Sequence, residues 1–111
     1  MRPEILAVLH DIEEAGTAIL ELSAQHTYEE YETQRWLRSS IEREFIIIGE
    51  AINAAFDLDS DLPITRVPQI VGFRNILVHR YRSVESDQVW AFIQRDLPRL
   101  LAEVRALLPP S

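Results

Sequence analysis

The chain contains no cysteine and no lysine, and only three glycines. The missing thiols exclude a disulfide framework, a thiolate nucleophile and zinc–thiolate sites. Few glycines and few β-branched alternations argue against sheets. No apolar stretch approaches the roughly 20 residues needed to cross a membrane. The longest, Phe45-Ile46-Ile47-Ile48, lies between charged neighbours. The N-terminal stretch is broken by His10, Asp11, Glu13 and Glu14, which suits an amphipathic helix and not a signal peptide. A cytoplasmic protein is expected. An apolar fraction of 47% excludes a disordered tail. At 111 residues the chain has room for one core, so residues 1–111 are expected to form a single domain.

The net charge is −7, from 18 acidic and 11 basic residues, which at first argues against a nucleic-acid partner. Its distribution argues otherwise. No acidic residue lies between Asp61 and Glu85, while Arg66, Arg74, Arg80 and Arg82 all do. A basic island in an acidic chain is a local anion site. Arginine's planar fork grips phosphate bidentately, although a GC-rich genome would produce the same preference for arginine over lysine.

Helical periodicity runs through the chain. A first helix is expected from Pro3, a favourable first-turn residue, to about Ser23, with Ile5, Leu9, Ile12, Ile19 and Leu20 inward. After a turn at Ala24 to Thr27, a long second helix is expected from about Tyr28 to Phe56. Its stripe of Leu37, Ile41, Phe45, Ile48, Ile52 and Ala55 keeps 3–4 spacing. Ile46, Ile47, Ala51 and Ala54 widen that stripe, so the helix is either central to the bundle or meets a second subunit. Gly49 deep within it marks a close helix approach. The run from Asp57 to Pro63 reads as a polar loop; it lacks the glycine and closing glutamate of a calcium-binding loop. A third helix is expected from Val67-Pro68 to about His79. Ser86-Asp87 should cap a fourth, from Gln88 to about Leu108, kinked at Pro98. The sum is an all-α, up-down four-helix bundle.

The third helix carries the residues suited to chemistry. At 100° per residue, Gly72, Asn75, His79 and Arg82 share one stripe, while Arg74, Val78 and Tyr81 share the next. Ile70, Phe73 and Leu77 face the core. RNA cleavage without a metal requires a proton taken from the ribose 2′-OH, a proton given to the leaving oxygen, and stabilisation of a charged phosphorane. Histidine titrates near neutrality and can do either transfer. Arginine can hold the phosphate and its developing charge. Asn75, four residues before His79, can orient the ring or the substrate. With one such histidine per chain, a two-fold homodimer would supply the second. Taken alone, a histidine on a helix or a group of arginines more often serves structure or solvation, and His10 and His26 are read so.

The segment Val71-Gly72-Phe73-Arg74-Asn75-Ile76-Leu77-Val78-His79-Arg80-Tyr81 resembles the motif of HepT-type ribonuclease toxins of the HEPN superfamily: Arg, four residues, His, one residue, Tyr. Residues Glu42 to Ala51 resemble that family's second-helix signature, and Val89-Trp90 with Asp96 to Leu100 its last helix. A glycine commonly follows the family histidine; here Arg80 stands there, which would alter loop flexibility or add a phosphate contact. The resemblance implies an endoribonuclease toxin that is homodimeric and needs neither metal nor cofactor. It also implies a partner, a minimal nucleotidyltransferase antitoxin that adds AMP to Tyr81. By motif match Arg74, His79 and Asn75 are the catalytic set, and Arg80 and Arg82 are substrate-phosphate contacts. Glu50 either orients Arg74 or is an ordinary structural carboxylate. Two alternatives stay open: a non-catalytic partner of a nucleotidyltransferase, and a plain helical dimerisation domain.

Overall fold

In the computed structural model, which describes residues 1–79 and 85–110, every regular element is helical. Helix α1 spans Pro3–Ala24, α2 Tyr28–Thr33, α3 Arg35–Leu58, α4 Val67–His79 and α5 Ser86–Leu107. Proline at the first position of α1 removes an N–H that would lack a partner anyway. The inward residues Ile5, Leu9, Ile12 and Ile19 are buried, and Leu20 packs half-buried against them. Gly16 brings α1 close to α5: a Cβ there would stand 2.7 Å from Leu101 Cδ2.

The expected helix from Tyr28 to Phe56 is two helices. Gln34 breaks it with extended backbone, φ −103° and ψ 109°. No proline or glycine causes the break, so local propensity does not explain it. Tertiary packing does. Tyr31 is fully buried with its ring 5.5 Å from Trp90 of α5, and Tyr28 lies 6.0 Å from the same indole. The turn before α2 is closed by a capping box. Thr27 Oγ1 accepts from Glu30 N at 3.1 Å, and Glu30 Oε1 accepts from Thr27 N at 2.9 Å. That backbone donor, helped by His26, holds the Glu30 carboxyl below its usual range. Across the break, the Arg38 guanidinium donates to the Glu32 carbonyl.

Helix α3 is central: it packs on α1, α2 and α4, while α5 closes against α1 and α2. Nine of its residues are buried, including every member of the expected stripe. Ile46 and Ile47 are only half-buried. An aromatic knot ties α4 into the bundle. Phe73 stacks on Phe92 of α5, centroids 5.0 Å apart and planes within 11°, and Phe45 of α3 meets both rings edge-on at 5.2 and 5.4 Å. The four long helices are compatible with an up-and-down bundle, and α2 is an added fifth element.

The connection between α3 and α4 is anchored on α5. Asp59 Oδ1 accepts from Asp61 N at 2.9 Å, an Asx turn as the composition suggested. Thr65 donates through its backbone N and its hydroxyl to Glu103, at 3.1 and 2.7 Å. Arg66 adopts φ 60°, a left-handed conformation costing about 1–3 kcal/mol for a residue with a Cβ. Its ion pair with Asp96 at 3.3 Å helps hold it there. One expectation for α5 needs correction. Its N-cap is Glu85, with no side-chain capping bond, so Ser86 and Asp87 lie inside the helix. The helix runs on through Pro98, which is exposed on the solvent side. There the carbonyl deprived of its donor can bond to water.

Candidate active site

The third helix expected from the sequence is α4, from Val67 to His79, with its apolar face as read. Ile70 and Leu77 are buried and Phe73 is half-buried in the aromatic knot. This orientation turns Arg74 toward α3 and leaves Asn75 and His79 exposed on the outer side.

Arg74 is seated rather than free. Its Cβ and Cγ occupy the space where a Cβ would stand at Gly49, so the glycine is what admits the arginine stem against α3. Beyond the stem, Nη2 pairs with Glu50 Oε1 at 3.5 Å and Nη1 donates to Asn75 Oδ1 at 2.9 Å. The Nε donor is buried and has no hydrogen-bond partner among the described residues. The Arg74 side chain keeps 23% of its surface exposed and that of Glu50 58%. A long, half-solvated pair of this kind contributes at most about 1 kcal/mol. It fixes the direction of the guanidinium without locking it, so a phosphate can displace Glu50.

Asn75 therefore spends its carboxamide oxygen on Arg74. The sequence offered His79 or the substrate as its partner; the observed bond gives it a share in aiming the arginine. His79 ends α4, about 7.5 Å along the axis from Arg74 for five residues of helix. Glu50 pairs with Arg74, a contact that suits both the orienting role and the ordinary structural carboxylate raised from the sequence. Tyr81, Arg80 and Arg82 lie outside the described residues.

The basic island is less free than its composition suggested. Arg66 turns back to Asp96 and Arg74 to Glu50. Neither of the other two histidines joins the site. His10 faces Glu13 at 3.9 Å on the exposed side of α1, and His26 sits 3.4 Å from Glu30 with its ring edge-on to Trp36. Among the described residues no group of three His, Asp or Glu side chains is placed to hold a metal ion. Nor is any of their helices long and apolar enough to cross a membrane. One residue escaped notice in the sequence: Glu42, an acid only 8% exposed on α3. Its signal was its phase, seven residues before Gly49 and so on the same side of the helix.

This geometry is that of an arginine and a histidine displayed on one short helix. Residues 12–107 match the family model described as Ribonuclease HepT-like. The chain belongs to the HepT-like ribonuclease family. Over 104 residues it is 31% identical to "Putative RNase MJ1380" of Methanocaldococcus jannaschii, covering 91% of this chain and 94% of that protein. "Putative RNase MJ1216" of the same organism is 26% identical over 106 residues, covering 95% and 88%. A third relative, "Gamma-glutamylcyclotransferase and putative RNase MJ0434", is 26% identical over 109 residues, which are 97% of this chain but 49% of that protein. No solved structure matches. The HepT-like family model takes in α3 and α4 entire, and with them Gly49, Glu50, Arg74, Asn75 and His79.

Proposed function

We propose that this protein is a metal-independent endoribonuclease acting in the cytoplasm as the toxin of a toxin–antitoxin pair, with Arg74 and His79 at its centre. The observation that carries this reading is Arg74 seated over Gly49 and aimed by Glu50 and Asn75, with His79 exposed on the same helix. In the reaction a histidine removes the proton of the ribose 2′-OH, whose oxygen attacks the adjacent phosphorus. The bond from phosphorus to the 5′ oxygen breaks, and that oxygen takes a proton. The products are a 2′,3′-cyclic phosphate and a 5′-hydroxyl. Arg74 exchanges its long contact with Glu50 for the phosphate oxygens and stabilises the added charge of the phosphorane.

Two proton transfers call for two acid–base groups, and each chain offers one His79. A homodimer related by a two-fold axis supplies the second. Ile76 and Val78, 50% and 40% exposed beside His79, are apolar surface that a second copy would cover. Arg80 and Arg82 are proposed as further phosphate contacts. Tyr81 is proposed as the residue that a nucleotidyltransferase antitoxin modifies with AMP, placing a bulky anion where the RNA phosphate would sit.

The test is cleavage of total cellular RNA by the purified protein, with and without EDTA. Wild-type protein should cut in both. His79→Ala should lose about 10²–10⁴-fold in rate, while retaining its helical content and thermal transition, because an exposed side chain contributes little packing. Cleavage by His79→Ala at the wild-type rate would place the chemistry elsewhere.

A further inference from the structure

Among the described residues five arginines are paired with carboxylates, Arg2, Arg66, Arg74, Arg99 and Arg105, while Arg35, Arg38, Arg43 and Arg95 form no such pair. Arg35 and Arg38 are the two of these that line one groove. Together with Ser39 and Glu42 they line an open groove of about 450 Å³ at the start of α3. Arg38 has a carbonyl as its partner, that of Glu32. Arg35 is exposed and forms no ion pair among the described residues. The groove thus holds two guanidiniums and one carboxylate, that of Glu42, and keeps an excess of positive charge that suits an anion.

The groove is aligned with the site. Arg35, Glu42 and Gly49 follow one another at intervals of seven residues, with Arg38 between the first two, so all four share one side of α3. Gly49 is where Arg74 rests. Helix α4 runs antiparallel to α5, with Arg66 at Asp96 and Phe73 at Phe92, and α5, like α3, runs antiparallel to α1, so α4 runs back along α3. From Arg74 to His79 it advances about 7.5 Å toward the start of α3, whereas Arg38 lies about 16 Å before Gly49. The groove therefore begins about 9 Å beyond the level of His79, on the face over which the scissile phosphate would lie. Glu42 is sunk at the floor while Arg35 stands at the rim, so a strand passing over meets the guanidiniums first.

We infer that this groove binds the phosphodiester backbone of the RNA strand one or two nucleotides from the scissile bond, through Arg35 and Arg38. The inference rests on the ribonuclease reading and adds to it a second set of substrate contacts, on a different helix. Arginine forks suit such contacts because they grip phosphate oxygens whatever the base.

The experiment compares wild type, Arg35→Ala and Arg38→Gln on a single-stranded RNA of about 20 nucleotides. KM and kcat are measured, and equilibrium binding is followed over a range of salt. Arg35 has no structural partner to lose, so Arg35→Ala keeps the test open should Arg38→Gln disturb the joint with α2. Each variant should raise KM about 5–10-fold with kcat within about twofold. The slope of log affinity against log salt should fall by about 0.7 per arginine. On a tetranucleotide too short to reach the groove, the rise in KM should vanish. Unchanged KM and salt slope in Arg35→Ala, or a shift of that variant from dimer to monomer, would overturn the groove assignment. Wild-type protein inert toward RNA would overturn the ribonuclease reading instead.

Discussion

In the proposed reaction the protons are moved by His79 and none by Tyr81, which is proposed to carry the regulatory modification instead. Tyr81→Phe should keep cleavage within a few-fold of wild type yet escape neutralisation by the antitoxin. Mass spectrometry of the co-expressed pair should find added AMP on Tyr81 in wild type only. Neutralised wild type carrying no added mass would show that inhibition is by occlusion. Arg74 and His79 were visible in the sequence because a helix repeats at fixed angles and both lie on one helix. What holds Arg74 was only half visible. Its partner Asn75 is adjacent in sequence, but Glu50 lies 24 residues away, and their meeting depends on the register of two helices. The free positive charge was overstated for the same reason. Nothing local reveals that Arg66 returns to Asp96, 30 residues on.

Between elements, the decisive contact is that of α3 with α4 at Gly49. Gly49→Ala would favour the helix by about 1 kcal/mol through propensity alone. The new methyl, however, meets the Cβ and Cγ of Arg74, the inflexible base of the side chain. Either α4 shifts or Arg74 does, and overpacking of this kind costs about 1–3 kcal/mol. The melting temperature should stay level or fall by a few degrees, while cleavage falls at least tenfold. Gly72→Ala is the control, since a Cβ there meets nothing within 4 Å; it should raise stability by up to about 1 kcal/mol. An active Gly49→Ala variant would refute the seating of Arg74 as its role. The helix boundaries show how far periodicity reaches. The limits of α1 and α4 follow from proline and apolar spacing. The break at Gln34 does not, because its cause is Trp90, far along the chain, drawing Tyr31 into the core. Pro98 did not end the helix, because its exposed position lets water replace the bond that the ring removes.

At the scale of the molecule, one acid–base group per chain and exposed Ile76 and Val78 both call for a second copy. Light scattering at micromolar concentration should give twice the 12.8 kDa chain mass, and Ile76→Glu should yield monomers that no longer cut. A monomeric wild type would remove the source of the second proton-transfer group. The all-helical class was legible in composition and spacing, since 3.6-residue stripes persist through every long segment. The homodimer is an expectation drawn from the wide apolar stripe around Ile46 and Ile47 and from the single motif histidine. A further consequence follows from how unevenly the core holds its helices. Helix α3 buries nine residues, whereas α4, which carries Arg74 and His79, buries two, Ile70 and Leu77. Local opening of α4 therefore costs less free energy than global unfolding, and its amides should be among the first to exchange with solvent. A second subunit resting on Ile76 and Val78 would close that opening, making the folding of the working helix and the pairing of the chains one equilibrium, set by concentration.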